Sequence, residues 1–337
     1  MPPPDPACHV EWPADFGTRF TVFVDVEEEF DWTRPLDRAH RSTTAMQAFP
    51  EAHRRFADRG VALACMVDYP IATDPASVDI LRRVIEDGRS SIGTQLHSWV
   101  NPPFDEIAGT GSTYPGNLPP ALEAAKLDTL THAIADAFGI APQAYRAGRY
   151  GIGPNTPALL AERGYLIDSS VRAFYDYARD GGPDFSAVGP AAYRLGAIVE
   201  LPLTTVYTGV LRRGGTPLYR ALGHLPKARA IAARAGLLSR IALTPEDMPI
   251  GAAIEAVDVA IGEGIALLNF SFHSPTLAPG NTPYAPDAEG VRRFHAWWDH
   301  MLHHLDTRGV RNAALDDIIA ATRAPGGTPA RGAGPTE

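Results

Sequence analysis

Between Phe20 and Ser170, five short apolar runs are separated by four segments of helical periodicity, and this alternation constrains the fold more than any other feature of the chain. FTVFVDV (20–26), VALACMV (61–67), SSIGTQL (90–96), QAYRAG (143–148) and YLIDSS (165–170) read as strands. Pro50 can open and Gly60 close the first helical segment, and Gly88 ends SVDILRRVIEDG (77–88). ALEAAKLDTLTHAIADAFG (121–139) puts Leu127, Leu130, Ile134 and Phe138 on one face, and NTPALLAERG (155–164) carries its own cap and stop. Strands joined through helices must run parallel, so the expectation is an α/β protein, either an open doubly wound sheet or a barrel. Two further strands, AIVELPL (197–203) and GIALLNFSF (264–272), and helices over 286–306 and near 313–322 extend the pattern.

Composition narrows the partners. The chain has 337 residues, enough to bury a large core, and its net charge of −9 argues against nucleic acid. No apolar run approaches the ~20 residues of a membrane helix. MPPPDPACHVEWPADFG has no basic head and no apolar stretch, so the expected location is cytoplasmic. Cys8 and Cys65 support neither a disulfide framework nor a cysteine-rich zinc site. From Ala324 the chain is mainly Gly, Pro, Thr and Ala, and residues 324–337 are expected to be a disordered tail. Residues 211–240 carry seven basic residues, Arg212, Arg213, Arg220, Lys227, Arg229, Arg234 and Arg240, and no acid. That asymmetry suits a solvated helical insertion, or one that meets a phosphate, a uronate or a membrane surface.

In parallel α/β folds, chemistry gathers at the carboxyl ends of strands. The polar residues there are Asp25, Glu27, Glu28 and Glu29, then Asp68, His97 and Asn101, Arg146 and Arg149, Asp168, Glu200 and His273. Asp25 and Glu27 lie two apart on a strand and point to one side, which suits a base beside a metal ligand. His97 and Asn101 could share a cation with Glu27. His273 could protonate a leaving group. Arg146 needs a carboxylate if buried, and Asp25 is the candidate. The competing structural accounts are a solvated acidic loop, a histidine tied beneath a proline turn and a capped core histidine. GIGPNT (151–156) reads as a turn before a helix, and His295, His300, His303 and His304 read as a solvated helix face.

Taken in order, FVDVEEEF, HSWVN, YRAGRYG, DSS and FSFHSP resemble the motifs of the polysaccharide deacetylase family, also called NodB-like or carbohydrate esterase family 4, across roughly residues 18–320. The longer words NPPF, PGNLP, YRAGRYGIGPNT, DSSVR and SFHSP resemble its WalW-like subgroup. The resemblance implies a distorted seven-stranded (β/α) barrel. It would span residues 18–323, after a proline-rich arm at 1–17, with a basic helical insertion over 211–247. It implies a divalent cation held by Glu27, His97 and Asn101, Zn²⁺ first and Mn²⁺ or Mg²⁺ as alternatives. Asp25 would be the base, Arg146 its support, His273 the acid and Asp168 the partner that tunes it. Arg149, Tyr150, Trp99 and Asp68 are the candidate substrate contacts, and Trp32, Trp99, Tyr150 and Tyr284 could stack on sugar rings. Where the family motif ends in histidine this chain has Asn101, a neutral and harder donor.

The expected function is metal-dependent deacetylation of an N- or O-acetylated sugar or polysaccharide precursor. The alternatives are a carbohydrate-binding barrel that has lost catalysis, and hydrolysis of a C–N bond in a small amide. The expected partner is an acetylated carbohydrate, with no nucleic acid and no transmembrane segment. The sequence leaves the oligomeric state open.

Overall fold

The first strand, β1 (Arg19–Val26), shows how the chain divides its side chains between two faces. Phe20, Val22, Val24 and Val26 join the large apolar cluster beneath the helices, while Phe23 joins a second cluster on the other side of the sheet. Thr21, Asp25 and, just past the strand, Glu27 follow the same alternation as Phe23. In this computed structural model, which describes residues 1–323, the other strands are β2 (Leu63–Val67), β3 (Ser91–Leu96), β4 (Ala144–Ala147), β5 (Ile167–Asp168), β6 (Tyr193–Leu195), β7 (Ile198–Glu200), β8 (Thr205–Thr208), β9 (Ser239–Ala242), β10 (Leu267–His273) and β11 (Arg311–Asn312). The expected tail at 324–337 lies outside the described residues.

The main sheet runs β10-β1-β2-β3-β4-β5-β7-β6, with β11 also against β1. Every pair is parallel except β6–β7. The sheet curls, and hydrogen bonds cross the gap between its β7 and β10 sides. Thr204 N donates to Asn269 O at 3.1 Å, Leu243 N to Thr204 O at 2.9 Å and Ser271 N to Leu243 O at 3.2 Å. The α/β class and the curled parallel sheet therefore match expectation. The strand count does not: this sheet has nine strands rather than seven, because the short β6 and β11 add to it.

The helices are α1 (Phe49–Ala57), α2 (Tyr69–Thr73), α3 (Pro75–Ile85), α4 (Pro120–Phe138), α5 (Thr156–Glu162), α6 (Gly215–Gly223), α7 (Ala228–Arg234), α8 (Ile250–Gly262), α9 (Ala288–Thr307) and α10 (Leu315–Arg323). Leu127, Leu130 and Ile134 of α4 are buried as the periodicity requires, and α4 ends at Gly139 with φ 69°. Helix α8 had no amphipathic signal because IGAAIEAVDVAIG is apolar or small nearly all round. Residues 1–17 are less of an arm than expected. Val10 N bonds Ala192 O at 2.9 Å, and Val10 and Phe16 are buried with Leu315, Ile318 and Ile319 of α10. Together they seal one end of the sheet's inner face with apolar side chains. The insertion forms α6 and α7, flanked by the antiparallel pair β8–β9.

Candidate active site

The inner face of the sheet is polar at the carboxyl ends of the strands. In the register of β1 and β10, Asp25 stands beside His273. Arg146 of β4 crosses the interior to reach them. Its Nη1 lies 2.6 Å from Asp25 Oδ1 and donates to Ser271 Oγ at 2.6 Å. Its Nε and Nη2 donate to Ser169 O at 3.0 Å and Ser169 Oγ at 2.9 Å. A buried guanidinium needs such partners, and these fix Asp25 from one side. The expected Arg146–Asp25 contact is present.

His273 fixes Asp25 from the other side, with Nε2 3.5 Å from Oδ2. Its Nδ1 lies 2.6 Å from Glu246 Oε2, and its backbone N–H donates to Glu246 Oε1 at 3.0 Å. Burial works to lower the basicity of this imidazole, but Glu246, Glu27 and Asp25 outweigh it and push its pKa up to about 10. The histidine's partner is therefore Glu246, not Asp168. Asp168 is wholly buried away from the cavity, where it accepts from the Ser170 hydroxyl. Glu200 is its neighbour and takes the Val171 N–H at 3.0 Å. Burial lifts Asp168 to about 6 and Glu200 well above the usual carboxylate range. Glu246 lies in the loop after β9, and no strand-end pattern marked it.

The second half of the site comes from β3 and the turn after β1. His97 Nδ1 is 2.8 Å from Glu28 Oε2, and its Nε2 is 3.5 Å from Glu27 Oε2. Burial pulls the pKa of His97 down to about 4, so the ring is neutral. The Glu28 contact fixes the hydrogen on Nδ1 and leaves the Nε2 lone pair facing Glu27. Trp99 stacks on His97 with centroids 4.1 Å apart and donates to Glu28 Oε1 at 2.7 Å. Asp68 does not reach the cavity. It caps α2 at Ile71 N (2.9 Å) and takes the Glu28 N–H at 2.8 Å, so it supports the site instead of touching substrate. Glu28 stood among the strand-end acids, but its role depended on a contact 69 residues away in sequence.

Asn101 does not join Glu27 and His97. Its Nδ2 donates to Pro102 O at 2.7 Å and Lys126 O at 2.9 Å, and it does not line the cavity. Gln95, which sequence reasoning passed over, stands in its place, with Nε2 3.1 Å from both Glu27 Oε2 and His97 Nε2. The period-2 alternation back from His97 was the signal that could have found it.

The remaining residues fit a cation. Two ligands of one tetrahedral ion bound at about 2.1 Å stand about 3.4 Å apart, close to the 3.5 Å between Glu27 Oε2 and His97 Nε2. Glu27 Oε1 is buried with no partner. Among the described residues, five buried carboxyl groups, Asp25, Glu27, Glu28, Asp68 and Glu246, face Arg146 and His273 as close positive groups, with Arg41 acting on Glu28. Burial, and then the charges of Asp25, Glu28 and Asp68, hold Glu27 well above its ordinary pKa despite His273. Such a surplus is relieved by protons or by a bound cation.

These groups open onto a cavity of about 880 Å³ lined by Trp32, Trp99, Tyr114, Tyr150, Tyr177 and Tyr284. All four expected stacking aromatics are there. Arg149 and Tyr150 both have φ 57°, a strained backbone for residues with side chains, and both face the cavity. Arg149 donates to Thr113 Oγ1 at 2.6 Å and lies over the Tyr114 ring. None of the seven basic residues of 211–240 lines the cavity, which removes the insertion from the contacts of a substrate seated there.

A structure described as a probable polysaccharide deacetylase from Pseudomonas aeruginosa PAO1 superposes with a TM-score of 0.51 at 16% identity, covering 93% of each chain. This chain has that fold. An allantoinase matches at a TM-score of 0.48 and 14% identity, over 95% of this chain and 93% of that one. The chitin deacetylase of the fungal pathogen Colletotrichum lindemuthianum matches at 0.41 and 12% identity, over 93% and 90%. No family model matches the sequence, and no curated protein does. No helix among the described residues is long and apolar enough to cross a membrane.

Proposed function

We propose that the protein is a hydrolase that removes an acetyl group from an acetylated amino sugar, with a divalent cation held at Glu27 and His97. The observation that supports this reading is the continuous set of contacts from Arg146 through Asp25 and His273 to Glu246, beside the Glu27–His97 pair on an aromatic-lined cavity. Arg146 orients Asp25, which takes a proton from the attacking water. His273, kept protonated by Glu246, gives a proton to the departing nitrogen. The proton gained by Asp25 then returns to His273, 3.5 Å away. When bound, the cation would polarise the acetyl carbonyl and lower the pKa of the attacking water. Acetate and a free amine are the products. The sugar-ring specificity is assigned to Trp32, Tyr150 and Tyr284. The motif words from NPPF to SFHSP support the narrower WalW-like placement.

The test is acetate release from N-acetylated oligosaccharides, O-acetylated xylan and small amides, with Zn²⁺ or Mn²⁺ supplied. Asp25→Asn and His273→Gln should each lose about 10²–10⁴ in rate. Cleavage of small amides alone would move the reading to C–N hydrolysis without sugar. Sugar binding with no acetate release would make this a binding barrel.

A further inference from the structure

We infer that Gln95 is the third protein donor of the cation site, in the place that motif spacing gives to Asn101; this rests on the cation-dependent reading above. Gln95 precedes His97 by two residues on β3, so both side chains point inward. It is 2% exposed. Its Nε2 is 3.1 Å from Glu27 Oε2 and 3.1 Å from His97 Nε2, so its two N–H groups sit where two acceptors converge. Its own oxygen, Oε1, is buried with no partner, as is Glu27 Oε1. Buried amides ordinarily satisfy both ends.

One cation resolves all of this. It occupies both acceptors, so the amide nitrogen has nothing to donate to and is repelled. A half-turn about the last side-chain torsion, which is soft, then offers Oε1 to the ion. Amide oxygens are ordinary ligands of harder divalent ions. Asn101 Oδ1 is also buried with no partner, but Asn101 does not line the cavity onto which Glu27, Gln95 and His97 open, and its amide hydrogens anchor it to two backbone carbonyls there. The Lys126 ammonium bonds Asn101 O at 2.7 Å, so positive charge already stands beside it. The chain thus keeps a three-donor set of carboxylate, imidazole and amide by recruiting a residue inside the strand.

The test is calorimetric titration of the full chain, cleared of metal with chelator, with ZnCl₂ and MnCl₂. Circular dichroism confirms that each variant folds. Wild type is expected to take up one equivalent. Gln95→Leu, which keeps the volume, should weaken uptake by about tenfold or more, and Gln95→Glu, which keeps the oxygen and adds charge, should bind tighter than wild type. Asn101→Ala should stay within about threefold of wild type. If Asn101→Ala loses the ion while Gln95→Leu keeps it, or if Gln95→Glu binds no better than Gln95→Leu, the assignment to Gln95 is overturned and the cation reading stands. If wild type takes up neither ion, as His97→Ala should not, the cation reading itself falls and the inference falls with it.

Discussion

Replacing Glu246 by glutamine keeps the size of the side chain and removes the charge that holds a proton on His273. The imidazole Nδ1 and the Glu246 carboxylate are 2.6 Å apart, and the carboxylate is buried. Unit charges whose centres are about 4 Å apart interact by about 4 kcal/mol at an effective dielectric of 20, or about 3 pKa units. Glu27 and Asp25 remain in the variant, so the pKa of His273 should fall from about 10 to about 7. The readout is the His273 ring signal by NMR in metal-free protein, assigned by its absence in His273→Gln. The raised pKa also fixes the sign of a stability effect. The contribution is complete below the unfolded-state value near 6.5 and is lost as pH rises through about 10. In Glu246→Gln it should be small at all pH, so wild type should be the more stable protein at about pH 6, with the advantage shrinking as pH rises toward about 10. A His273 midpoint that stays within one unit of 10 in the variant would show that Glu27 and Asp25 hold the proton, and would sink the role given to Glu246.

Arg146→Met should cost about 3–5 kcal/mol in urea unfolding, because it removes the closer of the two positive partners of buried Asp25 and leaves His273 alone against it, and should abolish acetate release. Asp168→Asn should leave the alkaline limb of the pH–rate profile where it is, since Glu246 and not Asp168 faces His273; a moved limb would reverse that assignment. The folded pKa of Asp168, about 6, lies above its unfolded value, so its favourable contribution is present at low pH and lost as pH rises through about 6. Melting curves should therefore show Asp168→Asn gaining on wild type by about 1–3 kcal/mol between pH 4 and 7. Gly148→Ala would bring a methyl group to 2.7 Å from His97 Cδ2 and 2.7 Å from Leu96 O. It should cost about 1–3 kcal/mol by overpacking and weaken ion uptake by displacing His97, both measurable on one preparation.

Much of the site was legible because β-strand geometry is local. Alternation along β1 aims Asp25 and Glu27 inward whatever surrounds them, and the strand-end rule found His97, Arg146 and His273 from apolar runs alone. The pairing of Arg146 with Asp25 followed from a general cost, since a buried guanidinium requires a carboxylate. Helix α4 was legible for the same local reason, its apolar stripe repeating at helical spacing. Helix α8 escaped because a segment that is apolar or small nearly all round, with only Glu255 and Asp258 charged, carries little periodic signal.

What the sequence by itself determined was the order of elements, the parallel sheet and which residues stand at its reactive end, for each depends on chain direction and side-chain period within a few residues. The tertiary structure alone decided the partners. Glu246 reaches His273 from a loop 27 residues away in sequence, and Glu28 reaches His97 across 69. Asp168 and His273 were both expected at the site, yet Asp168 alternates with Ile167, which faces the inner cluster, and so points to the other side of the sheet. Gln95 and Asn101 exchanged roles for a similar reason. Both lie within six residues of each other, but one is held in the strand facing inward and the other is turned by Lys126 and Pro102 toward the helix layer. A spacing rule specifies how far a side chain lies along the chain; its direction after the strand ends is set by whichever buried hydrogen bonds claim it first.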